Sequence, residues 1–433
     1  MSLDVRPWVQ SDDLSTLLPN ELANKLQGSQ ILAIAAHVAR CRAEGRTIAN
    51  LTIGDFDPSL YPIPSALEQR IVAQLQAGQT NYPPAVGVPE LCEAVRSFYD
   101  RALGLDYPPG SVQVGSGARP PIYAAFQTVV EPGDVVVYPV PTWNVRYYVY
   151  LRQAEGVEIP TRPEDGFMPT AATILPHLGR ARMVVLNSPL NPAGTVIDPV
   201  LLREICGAIV AENQRRRARG DKPVVLLYDQ VYWQLIFPGH EHHTPVGLVP
   251  EMAAYTIHID AISKCWAATG IRVGWAVAPP PLISKMKPLV GHMGAWAARA
   301  EQLATAELIQ QPEVVEGFLD DFRGQLRARL EQLSRGLKAM AAEGLPVDCL
   351  EPQGAIYLSV RFDLQGRTVA GHTVTDGESL RTLLLEEAGV AVVPFTAFGY
   401  PDGSGWVRLS VGAISEAEID GALQRISALL RAG

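Results

Sequence analysis

Lys264 stands beside Ser263 in the stretch DAISKCWAATGIRVGW at residues 260–275, with Arg272 eight positions later and Trp266 and Trp275 close by. Burial among such neighbours disfavours an ammonium ion. A lysine held there becomes a nucleophilic amine that can also carry a proton near neutral pH. Four other apolar runs end in residues of a complementary kind. VVLLYDQ closes on Asp229, with Tyr232 three residues on. VVLNSP leads into NPAGT, which supplies Asn191 and Gly194. VQVGSG leads into Gly117, Ala118 and Arg119 at the start of a helical pattern, and PTW places Trp143 after another run. An acid, an amide, a glycine turn suited to an anion, a flat aromatic face and an amine thus come from five segments.

The elements that carry these residues have a pattern of their own. SVQVGSG, VVVYPVP, RMVVLNSP, KPVVLLYDQ and YTIHIDAIS are short, β-branched and nearly all apolar, with helical or loop stretches between them. Such strands predict an α/β fold with a mainly parallel sheet covered by helices on both faces. Ligands bind at the strand-to-helix corners of such a sheet. Upstream, apolar spacing predicts an amphipathic helix over 21–44, a strand at TIANLTIG, a proline-rich loop from Asp55 to Pro64, and helices at about 65–77 and 89–102. Downstream come a long helical stretch at 281–345, strands at GAIYLSV, GVAVVP and GWVRLSVG, and helices at 377–388 and 415–431. The expected division is an arm and helix over 1–50 that joins a small α+β domain at 326–433, with the large domain at 51–325 between them.

Composition removes several classes. The 433 residues are 47% hydrophobic and 19% charged, enough apolar material for one large and one smaller core. A net charge of −9 offers no positive surplus for nucleic acid or an anionic membrane. The basic run QRRRARG is expected to be a solvated helix end closed by Gly220. Cys41, Cys92, Cys206, Cys265 and Cys349 are scattered without a CxxC pair, which argues against a disulfide framework or zinc site and for a reducing compartment. No run reaches the roughly 18 apolar residues of a membrane helix. The opening MSLDVRPWVQSDDL lacks the apolar run of a signal peptide, so the expected setting is the cytoplasm. His240, Glu241, His242 and His243 lack helical HExxH spacing and are expected to form an exposed loop, not a metal site.

Pyridoxal phosphate makes demands that match the five segments. Its aldehyde needs a lysine for a Schiff base. Its pyridine nitrogen needs a carboxylate that keeps it protonated and the ring an electron sink. Its phosphate needs backbone N–H groups at a helix start plus a cation, and its ring a flat partner. In order along the chain stand YPPAVG, GSGAR, PTW, NPAG, DxxY, SK, R-x-G-W, PQGAIY and WVRLS. Each is weak alone. Together, over nearly the whole chain, they resemble the fold-type I pyridoxal-phosphate enzymes of the class I/II aminotransferase family.

The resemblance implies roles residue by residue. Lys264 is the expected Schiff-base lysine and proton carrier. Asp229 would pair with the pyridine nitrogen, and Asn191 and Tyr232 would hydrogen-bond the phenolic oxygen. Trp143 would stack on the ring. Ser263, Arg272 and the turn of Gly117, Ala118 and Arg119 would hold the phosphate. Arg408 would take the substrate α-carboxylate bidentately, with Gly54 allowing close backbone approach and Asn191 and Trp143 completing the substrate site. Tyr82 would reach the neighbouring subunit's cofactor, which implies a homodimer with shared active sites. Arg119 has two readings, a phosphate ligand or a partner for a substrate side-chain carboxylate.

This sequence departs from the pattern at four places. Ala261 stands where serine or glycine is frequent, Ala193 where threonine or serine is, Pro120 and Pro121 where glutamine or alanine is, and Phe395 where glycine is. A phosphate hydroxyl is then missing, and Phe395 is expected to narrow the pocket. The implied activity is a ping-pong transfer of the amino group of an L-amino acid, aspartate or glutamate before aromatic acids, to a 2-oxo acid such as 2-oxoglutarate. The alternatives are a β-elimination of the C–S lyase kind and a non-catalytic regulator. The regulator would need a basic helix-turn-helix, and residues 1–30 contain none. Specificity is expected to lie in loops at about 10–30, 54–62 and 288–300.

Overall fold

The computed structural model describes residues 2–432 apart from Ser11, Gln27 and Ser29. After the short β1 (Ala49–Asn50), the middle of the chain supplies seven strands: β2 (Val112–Ser116), β3 (Val135–Val140), β4 (Glu155–Pro160), β5 (Ala181–Asn187), β6 (Val225–Asp229), β7 (Thr256–Ala261) and β8 (Val273–Val277). They form one sheet in the order β2-β8-β7-β6-β5-β3-β4. Only β8 runs against its neighbours.

Side-chain alternation explains why both faces are covered. Val135, Val137, Val184, Leu186, Leu226 and Tyr228 point into one core, against Leu202, Ile205 and Ile209 of the helix Pro199–Arg219. Val136, Tyr138, Met183, Val185, Val225 and Leu227 point into a second core, with Ile122 and Phe126 of the helix Arg119–Val129 and Ile283 and Met286 of Pro280–Met293. Each such side chain contributes about 1.5–3 kcal/mol relative to exposure.

The last hundred residues supply β9 (Val347–Cys349), β10 (Tyr357–Phe362), β11 (Thr368–Val369), β12 (His372–Thr373), β13 (Val390–Ala391), β14 (Val393–Pro394) and β15 (Trp406–Ser410). Four of them form an antiparallel sheet, β14-β15-β10-β9, while β11 and β12 pair as a hairpin. β1 pairs in parallel with β13, so the start of the chain is stitched to its end. The helix Pro312–Ala342 buries Leu326, Leu330, Leu333 and Leu337, one stripe of a 3.6-residue period. The closing helix Glu416–Arg431 is capped reciprocally by Ser415 and Glu418.

Several expectations are corrected. The helix expected over 21–44 is two helices, Glu21–Lys25 and Gln30–Ala43, because the backbone turns extended at Leu26; Gln27 and Ser29 lie outside the described residues. TIANLTIG contributes only Ala49–Asn50 as strand. The stretch 281–345 is three helices, broken by Gly294 in the left-handed region and by Pro312. β4 was not expected, because as an edge strand it exposes alternate residues and lacks the apolar signature. β8 was hidden inside the lysine signature. QRRRARG does end a helix at Gly220, but Arg216 is buried. It pairs with Glu212 at 2.9 Å and donates to the carbonyls of Leu178 and Lys222.

Gly274 of β8 is where the sheet meets the glycine turn after β2. A Cβ there would lie 2.5 Å from the carbonyl carbon of Gly117, 2.7 Å from the nitrogen of Ala118 and 2.9 Å from the Cβ of Ala261. Backbone cannot yield as a side chain can. Gly274→Ala is expected to lower stability by about 1–3 kcal/mol in urea unfolding.

Candidate active site

β5, β6 and β7 run parallel, so their carboxyl ends open on one edge of the sheet. β6 ends on Asp229, the loop after β5 holds Asn191, and β7 passes into the one-turn helix Ile262–Cys265 that carries Ser263 and Lys264. Lys264 Nζ donates to the carbonyl of Gly54 at 2.6 Å. It sits 5.7 Å from the ring centre of Tyr232 and 5.9 Å from that of Phe56. Burial pulls its pKa down to about 8; Asp55 opposes this, and Arg408, Arg119 and Arg272 add to it. Burial also pushes Asp229 up to about 6, against the Val231 N–H and Lys264. Asp229 and Trp143 line one small cavity with Phe126, Tyr148 and Asn187.

The turn after β2 is shaped for an anion. Gly117 has φ +79° and faces Arg272, whose guanidinium nitrogen would lie 2.2 Å from a Cβ placed on it. Arg272 itself holds φ +63° and donates to the carbonyls of Thr269 at 2.7 Å and Ser116 at 3.0 Å. Pro120 and Pro121 lack N–H groups, so the first helical turn offers the backbone donors of Ala118 and Arg119. The Arg119 guanidinium lies 4.8 Å from the ring centre of Trp143.

Arg408 of β15 comes from the second sheet and is 1% exposed. It donates to Asn191 Oδ1 at 3.0 Å and to the Thr52 carbonyl at 2.6 Å, and it stacks 4.5 Å from the ring centre of Tyr357 and 5.0 Å from that of Phe398. Its Nε is buried without a hydrogen-bond partner among the described residues. Gly54 is adjacent: a Cβ there would lie 3.0 Å from the Tyr357 hydroxyl and 3.8 Å from a guanidinium nitrogen of Arg408. Among the described residues, Lys264, Arg119, Arg272 and Arg408 have no carboxylate within 4.0 Å. Tyr232 is buried and hydrogen-bonded to the Tyr357 hydroxyl at 2.6 Å.

Tyr82 stands apart, 82% exposed, with its ring edge-on to Trp296 at 5.5 Å. The preceding loop residue ties Trp296 to the site, because the Ala295 carbonyl accepts from Ser116 N. Phe395 does not line the position expected of it. It is absorbed into an aromatic cluster with Phe167, Tyr400 and Trp406, and Phe398 presents the ring to Arg408 instead. Ala261 packs on Gly274. Of the histidine run, His240 and Glu241 are exposed, but His242 packs on Tyr228 and Trp233, and burial drives its pKa down to about 3. Tyr357, Thr52 and Phe56 were missed by the sequence reading. PQGAIY pointed to Tyr357, but nothing in it says which large-domain residue the hydroxyl meets.

A parallel sheet that brings a lysine, an acid and two arginines to one edge, with Arg408 reaching in from the second sheet, defines an α/β enzyme acting on anionic small molecules. The comparisons identify which. The family model "Aminotransferase class I and II" matches residues 46–426. Aspartate aminotransferase of Rhizobium meliloti is 31% identical over 407 residues, 92% of this chain and 93% of that protein. Aspartate/prephenate aminotransferase of Thermus thermophilus is 30% identical over 411 residues, 94% and 97% respectively. The solved Rhizobium meliloti structure aligns with a TM-score of 0.87 at 29% identity, covering 96% of this chain and 99% of its own. The chain belongs to the class I and II aminotransferases and is a pyridoxal-phosphate-dependent enzyme of fold type I.

A lysine with a pKa near 8 reacts as a free amine well below the range of surface lysines. In cofactor-free protein, competitive acetylation read by peptide mass spectrometry is expected to reach half its plateau at Lys264 near pH 8. Lys285 and Lys287, on the helix Pro280–Met293, serve as internal references.

Proposed function

We propose that the chain moves the amino group of an L-amino acid, aspartate or glutamate before aromatic acids, to a 2-oxo acid such as 2-oxoglutarate. The observation that carries this is a pair of arginines, Arg408 buried and Arg119 exposed at the rim, with no carboxylate within 4.0 Å of either among the described residues. Arg408 lies at one side, with an unpartnered Nε and a bidentate fork suited to an α-carboxylate. Arg119 lies at another, over Trp143, where a second carboxylate would find it. The Thermus thermophilus relative has been solved with maleate, a dicarboxylate.

The residues present fit the cofactor. Asp229, buried without an ion-pair partner among the described residues, would hold the pyridine nitrogen, and Trp143 would face the ring. Ser263, Arg272 and the backbone donors of Ala118 and Arg119 would take the phosphate, with Gly117 leaving room for it. Asn191 and Tyr232 would hold the phenolic oxygen. Pyridoxal phosphate, when bound, supplies an aldehyde that takes up the amine and a ring that takes up electron density from the substrate α-carbon. Arg408 and the Gly54 backbone orient the substrate so that its Cα–H bond faces Lys264. Lys264 Nζ, whose ammonium form gives up its proton around pH 8, would remove the proton at Cα in one half-cycle and return one to Cα in the other. Thr52, Tyr357 and Phe398 exclude water around the carboxylate.

The same reading makes the enzyme a homodimer of the cytoplasm, with an arm at 1–50 and domains at 51–325 and 326–433. An exposed tyrosine braced by Trp296 beside the anion turn is suited to a neighbouring subunit's phosphate. No helix among the described residues is long and apolar enough to cross a membrane.

The holoenzyme's absorbance is read before and after L-aspartate without any oxo acid. The visible band is expected to collapse with one oxaloacetate formed per site. L-Cysteine, which carries a sulfur leaving group at Cβ, is offered in a parallel assay without oxo acid; its hydrolytic cleavage to pyruvate, ammonia and sulfide over many turnovers, with the aspartate band unchanged, would overturn transfer in favour of elimination. Arg119→Ala is expected to lower kcat/KM for aspartate about 10–100-fold while sparing phenylalanine. Equal losses on both would reassign Arg119 to the phosphate. Sedimentation equilibrium is expected to give a dimer, and Tyr82→Phe to weaken cofactor retention in dialysis without changing that mass.

A further inference from the structure

The hydroxyls of Tyr232 and Tyr357 lie 2.6 Å apart in a buried setting, and either oxygen could be the donor. The two residues belong to different sheets. Tyr232 follows β6, whereas Tyr357 is the first residue of β10, paired with Ser410 of β15. The contact is held from both sides. Gly194 of the loop that carries Asn191 is pressed against the Tyr357 carbonyl so closely that a Cβ there would lie 2.1 Å from it. Ser359 donates to the Ala193 carbonyl at 2.9 Å, and the backbone N–H groups of Gln353 and Gly354 both donate to the Gly194 carbonyl. Across the Tyr357 ring lies the Arg408 guanidinium, and beyond its hydroxyl lies Gly54, whose carbonyl receives Lys264.

We infer that Tyr357 is a positioning residue that donates its hydroxyl proton to Tyr232, so that Tyr232 donates its own to the cofactor's phenolic oxygen. The inference rests on the proposed role of Tyr232. Two hydroxyls sharing one hydrogen bond use only one proton between them. If Tyr232 is committed outward, the proton in the shared bond is that of Tyr357. A hydroxyl that accepts a hydrogen bond is a stronger donor. Tyr357 therefore strengthens the grip on the phenolic oxygen from outside the cofactor's own contacts. Because its ring also supports Arg408, the carboxylate-binding arginine and the tyrosine that holds the cofactor share one anchor.

The test is a pH titration of the bound cofactor's visible band in the holoenzyme. A hydrogen bond to the phenolic oxygen withdraws charge that would otherwise stabilise a proton on the neighbouring nitrogen, and so lowers the midpoint. Tyr357→Phe removes one oxygen and keeps the ring under Arg408. Its midpoint is expected to rise by a few tenths of a pH unit, and that of Tyr232→Phe by about one unit. The double variant is expected to match Tyr232→Phe alone, because Tyr357 acts only through that hydroxyl. An unchanged midpoint in Tyr357→Phe beside a shifted one in Tyr232→Phe would overturn the inference and leave the role of Tyr232 standing. Additive shifts in the double variant would overturn it too, since they would mean that Tyr357 acts by another route. An unchanged midpoint in Tyr232→Phe would remove the proposed role of Tyr232, and with it the premise.

Discussion

Positive charges gathered at one corner of the sheet, with no carboxylate within 4.0 Å of them among the described residues, are the constraint on which the rest of this structure depends. Two unit charges ~8 Å apart repel by about 2 kcal/mol at an effective dielectric of ~20. Burial adds a further cost to Lys264, Arg272 and Arg408. Arg408 and Arg272 both have their pKa values depressed by burial, and Lys264 is driven toward neutrality. Such an arrangement survives only if the scaffold is rigid. The rigidity comes from two cores packed on opposite faces of one sheet and from carbonyls that receive the guanidinium groups: Ser116 and Thr269 for Arg272, and Thr52 for Arg408. Carbonyl dipoles partly neutralise the cations without cancelling them, so the corner keeps its attraction for anions.

The second sheet exists, in this light, to deliver Arg408. β15 has to reach across to Asn191, and the alignment is fixed by contacts that tolerate no extra atom. Gly194 against the Tyr357 carbonyl and Gly412 against the Asp55 carbonyl, where a Cβ would lie 2.0 Å away, are both backbone-to-backbone approaches. Ser410 extends the same seam by donating to the Ile53 carbonyl at 2.6 Å. The segment 52–55 is thereby clamped between the two sheets, and it is this segment whose carbonyls meet Lys264 and Arg408. Lysine and arginine are placed relative to each other through the backbone they both touch.

The legible part of the sequence was what local pattern encodes. Apolar strands ending in Asp229, or leading to Asn191, announce themselves, because a strand buried on both faces is nearly all apolar until it emerges; the strand leading to Lys264 keeps the signal despite burying Thr256, His258 and Asp260. The rest needed partners from far along the chain. β4 carries two glutamates and a glycine and becomes a strand only because β3 is beside it. His242 sits in a run that looks solvated, and Tyr228 and Trp233, brought up from β6 and the loop beyond, bury it. Arg216 looks like one of several surface arginines until Glu212, one turn back, and the Leu178 carbonyl enclose it. Phe395 was expected at the pocket because position in a motif was taken for direction of a side chain; three aromatic neighbours from other segments turn it into core.

Arg119 shows why the same reasoning stops short at specificity. Pro120 and Pro121 remove two N–H groups from a helix start that would otherwise offer four, which reduces what the backbone alone can give a phosphate. On the proposed roles, the loss shifts the burden of neutralising that anion to side chains, and Arg272, held at the turn by the Ser116 carbonyl, is one of them. Arg119 is then left to the aromatic face of Trp143, a partner that stabilises an exposed guanidinium by about 0.5–1 kcal/mol without neutralising it. A cation held by a π face keeps its hydrogen-bond donors for a ligand in the ring plane. That places the choice between cofactor phosphate and substrate carboxylate on which anion reaches those donors first, a matter of the loops around the corner and not of the helix that bears Arg119.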